Sequence, residues 1–237
     1  MRGPGARRGK RRERAPPALH SAAPQVNPKA LHVNPVSRFV DYYFRTNTGS
    51  RSERVTRSVA AHIGRASSLL DVGCGDGNNT LKLAERVGAE RVVGVDVLVR
   101  DRTYIEVRPY DGLHIPFGDR EFEVVTLLDV LHHCTDPEQV LREALRIASR
   151  AVVVKDHFAF GPVSRTVLYA MDVFGNRKFG VASPGTYFDF PAWVGMADRA
   201  GGRIAAVEWP LALHDMPWRL VGWPELQFTA KILPVRA

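Results

Sequence analysis

Three closely spaced glycines mark the segment of this 237-residue chain with the clearest chemical potential, Asp71-Val72-Gly73-Cys74-Gly75-Asp76-Gly77-Asn78-Asn79-Thr80. Glycines at a turn between a strand and a helix let the backbone approach a ligand and direct free N–H groups toward it. The spacing is Gly-x-Gly-x-Gly, and Asn78 stands where a dinucleotide fingerprint would have its third glycine. No Gly-Lys-Ser/Thr follows, so the pattern also differs from a P-loop.

Titratable side chains follow two predicted strands further along the chain. Asp129, His132 and His133 follow one of them, and Asp156 and His157 follow the next. Open α/β sheets bind ligands at the carboxyl ends of their strands, and histidine titrates near neutral pH. His157 and His133 are therefore candidate catalytic bases, and the alternative is that each histidine packs or orients a loop.

Cysteine and metal chemistry are not expected here. Cys74 lies inside the glycine loop, where we predict a small packed residue and not a nucleophile. The adjacent residues His132, His133 and Cys134 cannot all converge on one ion, and no second ligand cluster has zinc spacing, so we predict no metal.

Short apolar runs alternate with amphipathic helices from residue 67 onward, which predicts a parallel sheet covered on both faces in a doubly wound α/β domain. The predicted strands are 68–72, 91–97, 103–107, 122–129, 151–155, 203–209 and 226–232. The predicted helices are 39–44 and 52–62, separated by a break at 46–49, and then 79–87, 137–149, 163–174 and 191–200.

The segment LLDVGCGDGNNT resembles the first motif of class I S-adenosylmethionine-dependent methyltransferases, of the type 11-like kind. Three later segments agree with it in order and spacing: VVGVDV, which places Asp96 19 residues after Gly77, then IPFGDREFEVVTLLDVLHH and VLREALRIASRAVVVKDH. The resemblance covers roughly residues 65–157. It implies a Rossmann-like, mostly parallel seven-stranded sheet with a reversed last strand and helices on both faces.

The resemblance also implies a role for each matching residue toward S-adenosylmethionine. Asp71 would meet the α-amino group directly or through water, Asp96 the ribose hydroxyls, and Asp111 the adenine amine. Leu128 or Asp129 would line the methionine or transfer end. The glycines that would allow close approach of the loop are Gly73, Gly75 and Gly77.

The formal charge of +8 is concentrated at the start of the chain. Residues 1–30 contain eight Lys and Arg and one Glu, whereas the rest contains 25 basic and 24 acidic residues. We therefore predict a disordered basic leader over 1–30 and one domain over 31–237, whose near-neutral charge argues against a long grip on nucleic acid. Within it we distinguish N-terminal helices (31–64), a cofactor core (65–157), an aromatic-rich substrate-side insertion (158–190) and a C-terminal helix with strands (191–237). The aromatic side chains of the insertion either roof an apolar pocket or form the covering layer of the sheet.

The lead hypothesis is methyl transfer to a small-molecule or lipid-like acceptor. The Asn/Asp-Pro-Pro-Tyr/Phe turn of amino-methylating enzymes does not follow the fourth strand. One alternative is an RNA or protein methyltransferase that uses residues 1–30 as an arm, and another is a non-catalytic domain that binds S-adenosylmethionine or a partner. The chain has no apolar run of the ~18 residues that a membrane span needs and only two cysteines, so we expect a cytoplasmic location.

Overall fold

The computed structural model describes residues 35–176, 185–215 and 223–235, so the predicted leader at 1–30 lies outside the described residues. The helices are α1 (Pro35–Ile63), α2 (Asn78–Val87), α3 (Pro137–Ile147), α4 (Pro162–Asn176) and α5 (Phe190–Arg199). The strands are β1 (Ser68–Val72), β2 (Arg91–Asp96), β3 (Glu106–Pro109), β4 (Phe122–Leu128), β5 (Ala148–His157), β6 (Gly202–Glu208) and β7 (Gln227–Pro234). Short 3₁₀ turns lie at Leu131–His133 and Pro224–Leu226.

The seven strands form one sheet in the order β3-β2-β1-β4-β5-β7-β6. The first five in that order run parallel, and β7 runs antiparallel to both β5 and β6. Gln227 therefore lies opposite His157, and Thr229 opposite Glu208. The predicted sheet with a reversed last strand is confirmed, and β6 forms the outer edge beside it.

Helices cover both faces of the sheet, as predicted. On one face, Val55, Val59 and Ile63 of α1 pack with α2 against β1, β4 and β5, and all three are almost fully buried. Their spacing of four residues places them on one side of the helix. On the other face, Leu141 of α3 and Trp193 of α5 belong to the larger apolar core. Among the described residues, none of the helices combines the length and the apolar character needed to span a membrane.

The predicted break at residues 46–49 is wrong. A single 29-residue helix, α1, runs through Thr46, Asn47, Thr48 and Gly49 and ends before Gly64, which adopts φ +72°. Thr and Asn lower helix propensity by only a few tenths of a kcal/mol, and one glycine by ~1 kcal/mol. That cost is small beside the burial of the apolar face in the second half of the helix.

Two other boundaries differ from the prediction by more than a residue or two. The third strand is 106–109 and not 103–107, because the Tyr104 N–H donates to the Asp76 carbonyl and holds this segment against the glycine loop. The strand predicted at 151–155 begins at Ala148, directly after α3, with an irregular register opposite Phe122.

Candidate functional site

The connection between β1 and α2 contains the three predicted glycines, and all three have positive φ, at +70°, +62° and +78° for Gly73, Gly75 and Gly77. A Cβ on Gly73 would lie 2.6 Å from the Val130 side chain, and one on Gly77 would lie 2.4 Å from that of Ile105. A Cβ on Gly75 would meet nothing within 4 Å. The first and third glycines therefore permit close packing, whereas Gly75 borders open space.

Asp96 lies half-buried at the end of β2, next to this loop. Its carboxylate accepts hydrogen bonds from the Gly75 N–H at 2.7 Å and the Leu98 N–H at 2.9 Å. An ionised carboxylate has about four acceptor positions, so this one can still accept hydrogen bonds from hydroxyl groups. Asp96 thus fixes the loop and offers a negative charge beside the open space at Gly75.

Asp71 occupies a different environment, although it belongs to the same motif. Its carboxylate is buried and accepts hydrogen bonds from the hydroxyls of Thr80 at 2.5 Å and Thr126 at 2.6 Å. Burial raises the pKa of Asp71 to about 6, against the opposing effect of these two hydrogen bonds. The structure therefore makes Asp71 a link between β1, β4 and α2, enclosed beneath the loop.

Asp111 is exposed and shapes the turn that follows β3. It accepts hydrogen bonds from the N–H groups of Leu113 and His114, and its second oxygen lies 2.9 Å from the His114 Nδ1. These contacts, led by the His114 N–H, lower the pKa of Asp111 to about 2.

The end of β4 carries the predicted pair Leu128 and Asp129, both half-buried, and Asp129 has φ +60°. Its carboxylate pairs with the fully buried Lys155 of β5 and with Arg51 of α1, the latter at 2.7 Å. Burial acts to raise the pKa of Asp129, but the Lys155 and Arg51 charges outweigh it and hold the pKa well below its usual value. Lys155 also donates to the Gln227 side chain at 2.5 Å.

A second group of buried charges surrounds Asp156 at the end of β5. Asp156 accepts hydrogen bonds from the His132 Nδ1 at 2.6 Å and the His157 N–H at 2.8 Å. The His132 Nε2 faces Asp172 at 3.4 Å, and the Tyr187 hydroxyl donates to Asp172. Burial acts to lower the pKa of His132, but the two carboxylates raise it to about 10, so the ring is protonated at neutral pH.

The two predicted histidines both lie at this edge of the sheet. His157 is buried, and its Nδ1 lies 3.3 Å from Asp156. Burial lowers the pKa of His157, with the charge of Lys155 as a further cause, so its ring is neutral near pH 7. His133 is half-buried, with its ring centroid 4.0 Å from that of His132.

Potential metal-ligand atoms also converge here. Those of His132, Asp156 and His157 lie within 4.8 Å of one another, and so do those of His132, His133 and Asp172. Hydrogen bonds and opposite charges already pair His132 with both carboxylates. The expectation that the site uses no metal stays a prediction.

Cys74 fills the space above the side-chain-free Gly94 of β2, where an added Cβ would lie 2.3 Å from its sulfur. Burial raises the pKa of the Cys74 thiol well above its usual value. A protonated, packed thiol agrees with the prediction that it is no nucleophile.

Several polar residues at these strand ends are not predicted from the sequence: Arg51, Thr80, Thr126, Lys155, Tyr187 and Gln227. Lys155 gave a usable signal, because a lysine that ends a run of valines in a buried strand needs a buried partner. Arg51 and Gln227 gave none, since they reach the site from segments remote in sequence.

The chain resembles known proteins over its central segment, where residues 70–151 match the family model of a methyltransferase domain. It is 32% identical over 92 residues to the demethylmenaquinone methyltransferase of Lactobacillus johnsonii, which covers 33% of this chain and 38% of that protein. It is also 32% identical over 126 residues to the O-methyltransferase cnsE of Penicillium expansum, at 44% and 45% coverage. The matched stretch thus spans less than half of the length of these relatives.

A solved structure shares the fold over a larger part of the chain. The 1,6-didemethyltoxoflavin-N1-methyltransferase of Burkholderia thailandensis, with 1,6-didemethyltoxoflavin and S-adenosylhomocysteine bound, gives a TM-score of 0.56 at 16% identity. The match covers 84% of this chain and 87% of that one.

Proposed function

We infer that this chain carries a class I S-adenosylmethionine-dependent methyltransferase domain, the family that its motifs predict. The cofactor of the family is S-adenosylmethionine. On this premise we propose that the protein transfers the cofactor's methyl group to a small-molecule or lipid-like acceptor by in-line displacement.

The open space at Gly75 beside the Asp96 carboxylate gives the strongest support for the cofactor site. A glycine with positive φ and no neighbour within 4 Å of its Cβ position leaves room for a ligand against the backbone. Asp96 can accept the two ribose hydroxyls in charge-assisted hydrogen bonds while keeping those from Gly75 and Leu98. Asp71, enclosed below the loop, would act by holding Thr80 and Thr126 in place and not by touching the cofactor.

The names of the relatives support the acceptor class without choosing the methylated atom. One relative is named for demethylmenaquinone, another as an O-methyltransferase, and the structural neighbour as an N1-methyltransferase of a small heterocycle. The near-neutral charge of residues 31–237 supports the same class.

Methyl transfer requires alignment of the nucleophile behind the methyl group at about 3–3.5 Å and exclusion of water. A base is required only when the acceptor is a weak acid such as a hydroxyl. We assign that role first to His157, which is neutral near pH 7. When its Nδ1–H faces Asp156, the lone pair is on Nε2, which can take the acceptor's proton. His133 is the second candidate, whereas His132 is already protonated.

Calorimetry with S-adenosylmethionine tests the cofactor site directly. We expect Asp96→Ala to weaken binding by ~10- to 100-fold, because it removes charge-assisted hydrogen bonds worth about 1.5–3 kcal/mol. The exposed Asp101→Ala is the matched control and should leave the affinity unchanged. Binding that is unaffected by Asp96→Ala contradicts the assigned site.

Transfer of labelled methyl groups from S-adenosylmethionine to a fractionated extract tests the activity. A labelled small molecule or lipid is the expected product. Tight cofactor binding without any labelled product would favour the non-catalytic alternative, and label in RNA or protein would overturn the acceptor class.

A further inference from the structure

An apolar cavity of about 530 Å³ opens beyond the end of β5, at the edge of the sheet where the glycine loop lies. We call it the aromatic cavity, and it is lined by Phe160, Gly161, Pro162, Val163, Ser164, Trp209, Trp223, Glu225 and Leu226. Its volume lies within the ~300–1,000 Å³ that small-molecule pockets occupy.

The Ser164 hydroxyl and the Trp209 indole N–H of the aromatic cavity are already engaged within the protein. The Ser164 hydroxyl accepts the Phe160 N–H and donates to the Gly161 carbonyl. The Trp209 Nε1–H donates to the Glu225 carbonyl at 2.8 Å. Since these groups are satisfied, the lining presents mainly hydrocarbon and aromatic surface, and the ligand part that it favours is apolar.

Large apolar side chains around the cavity are exposed together. Phe160, Val163, Trp209 and Trp223 have exposed fractions of 54%, 70%, 49% and 40%. Phe160 lies against Trp209, with ring centroids 6.0 Å apart, and against the buried Phe158 at 6.1 Å. A contiguous exposed patch of this kind marks a binding site, whereas single exposed apolar residues do not.

The position of the cavity connects it to the proposed transfer point. The residues of its lining follow β5, follow β6 or precede β7. Because β7 runs antiparallel to both neighbours, the ends of β5 and β6 and the start of β7 lie on the same side of the sheet. Because neighbouring strands lie about 4.8 Å apart, the end of β4 is ~10 Å from the start of β7. One acceptor molecule can therefore reach from the ends of β4 and β5 into the cavity.

We propose that the aromatic cavity binds an apolar hydrocarbon chain of the acceptor, while the acceptor's nucleophilic head lies near Asp129 and His157. This inference rests on the proposed function. It gives the substrate class a definite chemistry, a nucleophilic polar head with an apolar hydrocarbon tail.

The test uses 11-bromo-1-undecanol, a bromoalkane that quenches tryptophan fluorescence, with Trp209 and Trp223 as the reporters. We expect saturable quenching of the wild-type protein and only linear, collisional quenching by 3-bromo-1-propanol. Val163→Asp should weaken the saturable binding at least tenfold, since it places a carboxylate in the cavity. The acid lies in the first turn of α4, where the helix dipole favours it, so the fold should persist.

Val173→Asp is the matched control, because Val173 is exposed on the same helix outside the cavity lining. It should bind the probe like the wild type. Phe160→Ser is a second variant of the cavity lining, and it should also weaken the saturable binding, so it replaces Val163→Asp if that variant misfolds. Equal binding by wild type, Val163→Asp and Phe160→Ser overturns the proposal. So does quenching by vesicles of brominated phosphatidylcholine without saturable binding of the free probe, which would indicate a membrane contact.

Calorimetry with S-adenosylhomocysteine separates this proposal from the proposed function. Val163→Asp should bind S-adenosylhomocysteine as tightly as the wild type does. If S-adenosylhomocysteine binds and the alkyl probe does not, only the cavity assignment fails. If the probe binds and S-adenosylhomocysteine does not, the methyltransferase assignment fails.

Discussion

The carboxyl ends of the five parallel strands form two groups that hold their polar side chains in different ways. At the ends of β1 to β3, the polar groups are the backbone of the glycine loop and the accessible carboxylates of Asp96 and Asp111. At the ends of β4 and β5, they are charges in opposed pairs, the half-buried Asp129 with the buried Lys155 and the buried Asp156 with the buried His132. We refer to these as the cofactor half and the acceptor half.

The difference has an energetic consequence. A group that is partly exposed can exchange a lost contact for water, whereas a buried charge that loses its partner is left without compensation. The acceptor half should therefore hold its side chains rigidly, and its substitutions should affect folding first. Substitutions in the cofactor half should affect ligand binding first.

Asp156→Asn should produce the largest effect on stability. It removes the charge that faces His132 and leaves this buried ring with one carboxylate, Asp172, and breaking a buried pair in this way costs about 3–5 kcal/mol. Urea denaturation followed by circular dichroism measures the loss in the free energy of unfolding. Asp96→Asn is the matched change in the cofactor half, and we expect it to cost less than about 1 kcal/mol. Similar losses in both variants would contradict the distinction between the halves.

Asp71 is an exception to this distinction, because it belongs to the cofactor half and is nevertheless buried. Its pKa is raised to about 6 in the folded protein, from 3.8, so between these values the folded state keeps a proton that the unfolded state has lost. The contribution of Asp71 to stability therefore falls as the pH rises from about 4 to 6. Since one pKa unit is worth about 1.4 kcal/mol, this loss amounts to ~3 kcal/mol.

Asp71→Asn should lack this pH dependence, because the amide carries no titrating proton. The measurement is the free energy of unfolding of both proteins at a series of pH values between 4 and 7. The wild type should lose stability relative to the variant as the pH rises. A constant difference over the whole range would show that the pKa of Asp71 is not raised by folding.

The same contrast explains how much the sequence could reveal. The cofactor half is built from contiguous residues, so the spacing of Gly73, Gly75 and Gly77 and the position of Asp96 predict its location. The sheet was also predictable, since each of its buried strands is a short apolar run between turn residues or amphipathic helices. The break at 46–49 was a wrong prediction because local propensity was outweighed by packing elsewhere in α1.

The acceptor half could be predicted only in part, because long-range pairing assembles it. Asp129, His133 and His157 stand after predicted strands and were found in this way. Their partners come from distant segments: Arg51 from α1, Asp172 from α4 and Gln227 from β7. Nothing local to these residues indicates which charge each one will meet.

Gly75→Ala should produce the next smaller effect, a loss of cofactor affinity, and Gly64→Ala is its matched control. Both glycines have positive φ and open space at the Cβ position, so each alanine should cost ~1–2 kcal/mol of backbone strain. Only Gly75 borders the proposed cofactor, and calorimetry with S-adenosylmethionine should show a further loss of affinity of ~10-fold or more for that variant. Equal affinities in the two variants would show that the space above Gly75 holds no ligand.

Asp111→Ala should produce the smallest effect, although Asp111 belongs to the predicted cofactor set. Its carboxylate is exposed, and it already accepts the N–H groups of Leu113 and His114. We therefore expect a loss of S-adenosylmethionine affinity of less than ~3-fold, arising from a looser turn. Asp111→Asn can still accept those N–H groups and should bind like the wild type. A loss of tenfold or more in both variants would mean that the Asp111 charge contacts the cofactor directly.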